Sequence, residues 1–217
     1  MPSPRKVVTR SPHRRVGYVP CTWLQPFHIE YESLLERSFI HVALLCPQVH
    51  EVHSQPFRLA LGDYGTYVPD FLLKGDREQV VVEVKPRKFV PKHAEKLNAA
   101  KQALEAKGLS FVVCTEQEIW SNDRHERAGE LLRYARSAFP QGLVEQVIRS
   151  AQAVQFPISV DALATKLGVC RDIVLHLVGR RHFQITSGLE ANVLYLPTNK
   201  ESIHGDISLR AWIGSAD

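Results

Sequence analysis

The chain has no apolar run long enough to cross a bilayer. Its longest, "FIHVALLC" at 39–46, spans eight residues and is interrupted by His41. The basic N-terminus "MPSPRKVVTRSPHRR" is not followed by an apolar stretch, so no secretory signal is expected. Cysteine is scarce: Cys21, Cys46, Cys114 and Cys170 stand far apart, with no CxxC and no histidine at zinc-finger spacing. That favours free thiols in a reducing, cytoplasmic setting over a disulfide scaffold or a structural zinc. No internal repeat or low-complexity tract appears.

Acid is missing from the first twenty residues, which carry Arg5, Lys6, Arg10, Arg14 and Arg15. Those five of the 27 basic residues account for the net charge of +4, because they leave 22 bases against 23 acids in the rest. A basic arm on a near-neutral body fits a polyanionic partner, and fits a solubilising tail equally well. What is present otherwise is ordinary globular material, 44% hydrophobic and 23% charged over 217 residues, enough for one core and a small second domain.

Periodicity predicts a helix through "ESLLERSFIHVALLC", ended by Pro47, then strands at about 56–61, 67–73 and 79–84. A lysine-rich helix closed by Gly108, a strand at 109–114 and a helix near 124–136 follow. This is a mixed α/β sheet. Past "SAFPQG" (137–142) come a helix at 142–153, helices in "SVDALATKLG" and "CRDIVLHLVG", and strands near 182–187 and 191–196. Helix–turn–helix before a β-hairpin is the winged-helix order. The expected division is a basic arm at 1–24, an α/β domain at 25–138, a winged-helix-like domain at 139–200 and a tail at 201–217.

The stretch "YVPDFLLKGDREQVVVEVKP" (67–86) reads as a hairpin whose turn centres between Asp76 and Arg77. Partners then sum to 153, which sets Phe71 against Val82 and Asp70 against Glu83. Alternation puts Val80, Val82, Val84, Phe71 and Leu73 on one face. The other face holds Leu72 and Val81 near the turn and Asp70, Glu83 and Lys85 at the far end. Opposed carboxylates about 4.5–5.5 Å apart at Cβ repel one another, and a divalent cation between them reverses that. Hard oxygen ligands suit Mg²⁺ or Mn²⁺. A solvated face with Lys85 screening the acids is the plain alternative, which Leu72 and Val81 on the same face disfavour.

"PD" followed thirteen residues later by "EVK" resembles the PD-(D/E)xK signature of restriction-endonuclease-like nucleases. Together with "SLLERSF" (33–39), "VHEVHSQPF" (49–57), "VVEVKP" (81–86) and "FVVCTEQEI" (111–119), over roughly residues 25–120, it resembles the TnsA family. These are the endonuclease subunits of heteromeric cut-and-paste transposases. The resemblance implies a restriction-endonuclease-like mixed sheet flanked by helices and a Mg²⁺-dependent (or Mn²⁺-dependent) DNA endonuclease that nicks transposon 5′ ends. It also implies a DDE-type transposase, transposon-end DNA and an AAA+ ATPase regulator as partners, with a nucleoid-associated location.

By resemblance, Asp70, Glu83 and Glu36 are the metal ligands, Lys85 is the catalytic lysine, and Gln55 supports the site. Some family members have Gln where Glu83 stands. Glu36 keeps a second reading, because Ser33-x-x-Glu36 is a capping-box spacing, and Glu32 is the fallback acid. Arg87 and Lys88, together with Arg14 and Arg15 of the arm, are the candidate DNA contacts. His50 and His53 read as surface residues. "CRDIVLHLVG" offers few polar side chains for reading bases, so its domain could dock protein instead. Another nuclease of the same fold and an inactive DNA-binding adaptor remain as alternatives.

Overall fold

A computed structural model describes residues 15–196 and 208–214 of the chain. By contacts the chain divides into two units, one of residues up to Ser121 with Ile207–Asp217, the other Asn122–Asp206. The expected boundary at 138 falls seventeen residues later, after the helix 124–135 that packs within the second unit.

In the first unit β1 (Gly17–Val19) pairs antiparallel with β2 (Ile29–Tyr31), Gly17 opposite Tyr31. A Cβ on Gly17 would lie 2.5 Å from the Tyr31 hydroxyl, so the Tyr31 side chain lies over the glycine and would have to swing aside for any larger residue. Residues 17–19, expected within the arm, are therefore part of the folded unit. The next element is helix α1 (Leu34–Leu44), capped by Ser33, whose hydroxyl accepts the Glu36 N–H.

The main sheet runs β3–β6–β7–β8, with β3 (Glu51–Ser54), β6 (Phe71–Lys74), β7 (Gln79–Val84) and β8 (Ser110–Cys114). The first three are antiparallel neighbours, and β8 returns parallel to β7 behind helix α2 (Ala94–Glu105). A parallel return needs such a crossover, and the lysine-rich helix supplies it. A short helix α3 (Glu116–Trp120) follows, begun by a capping box from Thr115 and Glu118.

The strand expected at 56–61 is displaced. The sheet's first strand is 51–54, because Gln55 turns the chain with φ 45° and Pro56 offers no N–H for a ladder. Only Leu59–Ala60 (β4) of that stretch pairs, antiparallel with Thr66–Tyr67 (β5), in a separate two-stranded ribbon.

The sheet is apolar on both faces. Phe71, Leu73, Val80, Val82 and Val84 are buried on one, where Phe39 of α1 stacks on Phe71 at 5.3 Å between centroids. On the other, Leu72 and Val81 join Leu59, Leu61, Tyr67, Phe111 and the Leu97/Ala100/Leu104 stripe of α2. Each such side chain contributes about 1.5–3 kcal/mol on burial. All four cysteines are unbridged.

The second unit comprises α4 (Arg124–Ala135), α5 (Gln141–Ala151), α6 (Val160–Leu167) and α7 (Arg171–Gly179). A Cβ on Gly179 would meet the Leu131 carbonyl at 2.4 Å, so α7 touches the backbone of α4 there. Helix α6 starts at the Ser159 cap and stops at Gly168, φ 64°. Of the β-hairpin expected at 182–187 and 191–196 one isolated bridge remains, Gln184 with Tyr195, while Leu194 bridges to Ile158 instead.

The last segment, silent in the sequence reading, returns to the first unit as α8 (Leu209–Ile213). Trp212 is fully buried there and donates its indole N–H to the Val42 carbonyl of α1 at 2.9 Å. Among the described residues no helix is long and apolar enough to cross a membrane.

Candidate active site

The hairpin register is the one read from the turn. Phe71 pairs with Val82, Leu72 with Val81, Leu73 with Val80 and Lys74 with Gln79. One step beyond the ladder, Asp70 stands across from Glu83, and its Oδ2 accepts the Val84 N–H at 2.8 Å. The two acids thus share the face that buries Leu72 and Val81, at its far end, as the alternation requires.

That end opens into a cleft of about 480 Å³. Asp70, Glu83 and Lys85 come to it from the hairpin, Glu32, Ser33, Leu34 and Glu36 from the start of α1, and Arg15 from the chain entering β1. Four of the residues singled out as a site, Glu36, Asp70, Glu83 and Lys85, are therefore brought to one cleft.

Glu83 is 6% exposed, yet both of its oxygens are engaged: Oε2 accepts the Tyr67 hydroxyl at 2.6 Å and Oε1 pairs with Lys85 Nζ at 2.8 Å. Lys85 is itself anchored through its N–H to the Cys114 carbonyl of β8 at 3.0 Å. Burial pushes the Tyr67 hydroxyl pKa far up, and the Glu83 and Asp70 charges push it further, so it stays a donor.

Asp70 has fewer partners. Burial first, then the charges of Glu83 and Glu36, raise its pKa well above the ordinary carboxylate value, against the smaller opposing pull of Val84 N–H and Lys85. Glu36 is raised for the same leading reason, burial, with Glu32 and Glu83 adding to it. The two readings of Glu36 are compatible. Its Oε2 accepts the Glu32 N–H at 2.7 Å and its Oε1 the Ser33 hydroxyl at 2.9 Å, while the carboxylate still borders the cleft.

Gln55 does not border the cleft but braces it. Its left-handed backbone aims its N–H at the Asp70 carbonyl, 2.7 Å away, and its amide reaches Glu32 Oε1 at 3.4 Å. A non-glycine residue held there costs of order 1–3 kcal/mol, and the turn just ahead of Asp70 is what that strain maintains.

Arg87 and Lys88 lie outside the cleft on an exposed turn, Arg87–Phe89. The Arg87 N–H donates to Glu116 Oε2 at 2.8 Å, and Lys88 Nζ sits 4.9 Å from the Phe89 ring centre. Arg14 lies outside the described residues. His53, expected at the surface, is half-buried because β3 places it beside Glu51, 2.7 Å away, while exposed His50 faces Asp76 at 3.0 Å.

Sequence reasoning missed Tyr67. It belongs to the small β4–β5 ribbon rather than to the hairpin. An aromatic three residues before Asp70 was the only available signal.

Several carboxylates that raise one another's proton affinity, with Lys85 already committed to one of them, form a donor set that a hard divalent cation would stabilise. Among the described residues no group of three His, Cys, Asp or Glu side chains is drawn together as a ready-made metal cluster.

Residues 46–116 match the family described as TnsA-like endonuclease N terminal. The match contains Asp70, Glu83, Lys85 and Gln55 and ends short of Glu36. No curated protein matches the chain.

Proposed function

With residues 46–116 a TnsA-like endonuclease domain, we propose that the chain is the DNA-nicking subunit of a heteromeric transposase, cutting the 5′ strand at transposon ends. The observation that carries this reading is the convergence of Asp70, Glu83, Glu36 and Lys85 on one cleft. The donors fit Mg²⁺ or Mn²⁺, because all are hard oxygens and their mutual repulsion is what such a charge relieves. Asp70, Glu83 and Glu36 would hold it. Once bound, a divalent cation supplies Lewis-acid polarisation of a phosphate and makes a water more acidic.

The rest is the work of the chain's own groups. Tyr67 and Lys85 fix the Glu83 carboxylate from two sides, so its orientation is set before any ligand arrives. The Val84 N–H does the same for Asp70. Lys85, one-fifth exposed, is placed to orient a water toward the scissile phosphorus from the cleft side. Arg87 and Lys88, exposed directly after the motif, hold flanking phosphates and contribute the salt-dependent part of DNA affinity.

The second unit is read as winged-helix-like and as a protein-docking element rather than a base reader. Ile173–Gly179 of α7 is buried throughout, and Arg171 is paired with Asp161 at 2.9 Å. A recognition helix needs exposed side chains to enter a groove. The transposase and an AAA+ ATPase regulator are the proposed partners.

The test combines the protein, its transposase and a transposon-end duplex with Mg²⁺, and maps 5′ nicks for wild type and Lys85→Ala. Loss of the 5′ nick in the variant, at unchanged transposase cutting, is expected. Equal nicking by both proteins would remove Lys85 from the chemistry.

A further inference from the structure

Resting on the nuclease reading, we infer that Arg15 is the phosphate-binding cation of the cleft, gripping the phosphodiester that is cut. Three observations carry this.

The first is position. The β1–β2 register sets Gly17 against Tyr31; Arg15 lies two residues before that pair and Ser33, the cap of α1, two residues after it. Arg15 accordingly borders the same cleft as Glu36, Asp70 and Glu83, fifty-five residues or more from the hairpin acids in sequence. The antiparallel pairing of β1 with β2 holds the strand that delivers it.

The second is charge. Four carboxylates (Glu32, Glu36, Asp70, Glu83) and two cations (Arg15, Lys85) border the cleft, a formal −2 with all ionised. One divalent cation brings that to zero, and a phosphodiester can enter without net repulsion. Without Arg15 the sum stays at −1, and the incoming phosphate meets like charge.

The third is availability. Lys85 is tied to Glu83 at 2.8 Å. Arg15 is exposed, and its planar fork suits two phosphate oxygens at once. The arm is thus given a defined role at its last cation, beyond general attraction for DNA.

The test uses the full chain with its transposase and transposon-end duplex, in wild-type, Arg15→Ala and Arg15→Lys forms. Nicks are first mapped with wild type in Mn²⁺. DNA affinity is then measured in Ca²⁺ on the native duplex and on one carrying an uncharged methylphosphonate at the mapped phosphate. Arg15→Ala is expected to lose about tenfold in affinity on native DNA, and to lose nothing more on the neutral phosphate. Wild type is expected to fall to the variant's level when that phosphate is neutralised, and Arg15→Lys to recover part of the loss. Affinity unchanged in Arg15→Ala, or two losses that add independently, overturns the role of Arg15 while wild-type nicking leaves the nuclease reading standing. No nick from wild type overturns both.

Discussion

Burial and the neighbouring charges of Glu83 and Glu36 hold the Asp70 carboxyl's pKa above the ordinary value. The folded chain therefore keeps a proton there that the unfolded chain gives up. The associated stability is fully present below the unfolded pKa of about 4 and is lost as pH rises through the raised value. Metal-free protein should accordingly lose stability as pH rises from about 4 through the raised value of Asp70. Asp70→Asn keeps an acceptor for the Val84 N–H and removes the charge. Its metal-free Tm at pH 8 is expected about 2–4 °C above wild type, with no further rise on adding Mn²⁺; a lower Tm would mean that the carboxylates do not strain the fold. Tyr67 acts on the same cluster from behind. Phe at 67 keeps the edge-on packing against Phe111 but frees Glu83 Oε2. Mn²⁺ affinity of Tyr67→Phe, read by calorimetry, should fall about tenfold, and an unchanged affinity would reduce Tyr67 to a packing residue.

At the scale of elements, the hairpin was the most legible part of the chain. A turn of known centre and strict alternation determine which side chains share a face, so Asp70 and Glu83 could be set opposite each other from residue order alone. The Ser33 cap on α1 was legible for a similar reason, since three-residue spacing is local, although Glu36 reaches the Glu32 N–H and the Ser33 hydroxyl rather than the Ser33 N–H of a capping box. The strand at 51–54 was not, because "PFRLAL" alternates better than "EVHS" and nothing local announces that Gln55 adopts a left-handed backbone. Tyr67 reaches Glu83, and Arg15 the cleft, beside ribbon strands of two and three residues, which are too short to leave a periodic trace. The same holds for α8, five residues that pack by virtue of one tryptophan. Trp212→Ala removes a fully buried ring and its bond to the Val42 carbonyl, for an expected loss of about 3–5 kcal/mol in urea unfolding. A loss under about 1 kcal/mol would show that the segment is an ornament on α1 rather than part of the core.

On the scale of the whole molecule, function is concentrated in the first unit. The family match spans 46–116, and the fold extends the site beyond it toward the N-terminus, to Glu36 and Arg15, while the Cys114 carbonyl of β8 that anchors Lys85 lies within it. The second unit folds on a buried α7. On the proposed reading, a cleft built from mutually repelling acids would hold a divalent cation. Mn²⁺ binding to the full-length protein, followed by electron paramagnetic resonance in the absence of DNA, tests this most directly. The account predicts saturable binding by wild type that Asp70→Ala abolishes. Equal binding by both proteins, or none by wild type at millimolar Mn²⁺, would contradict it.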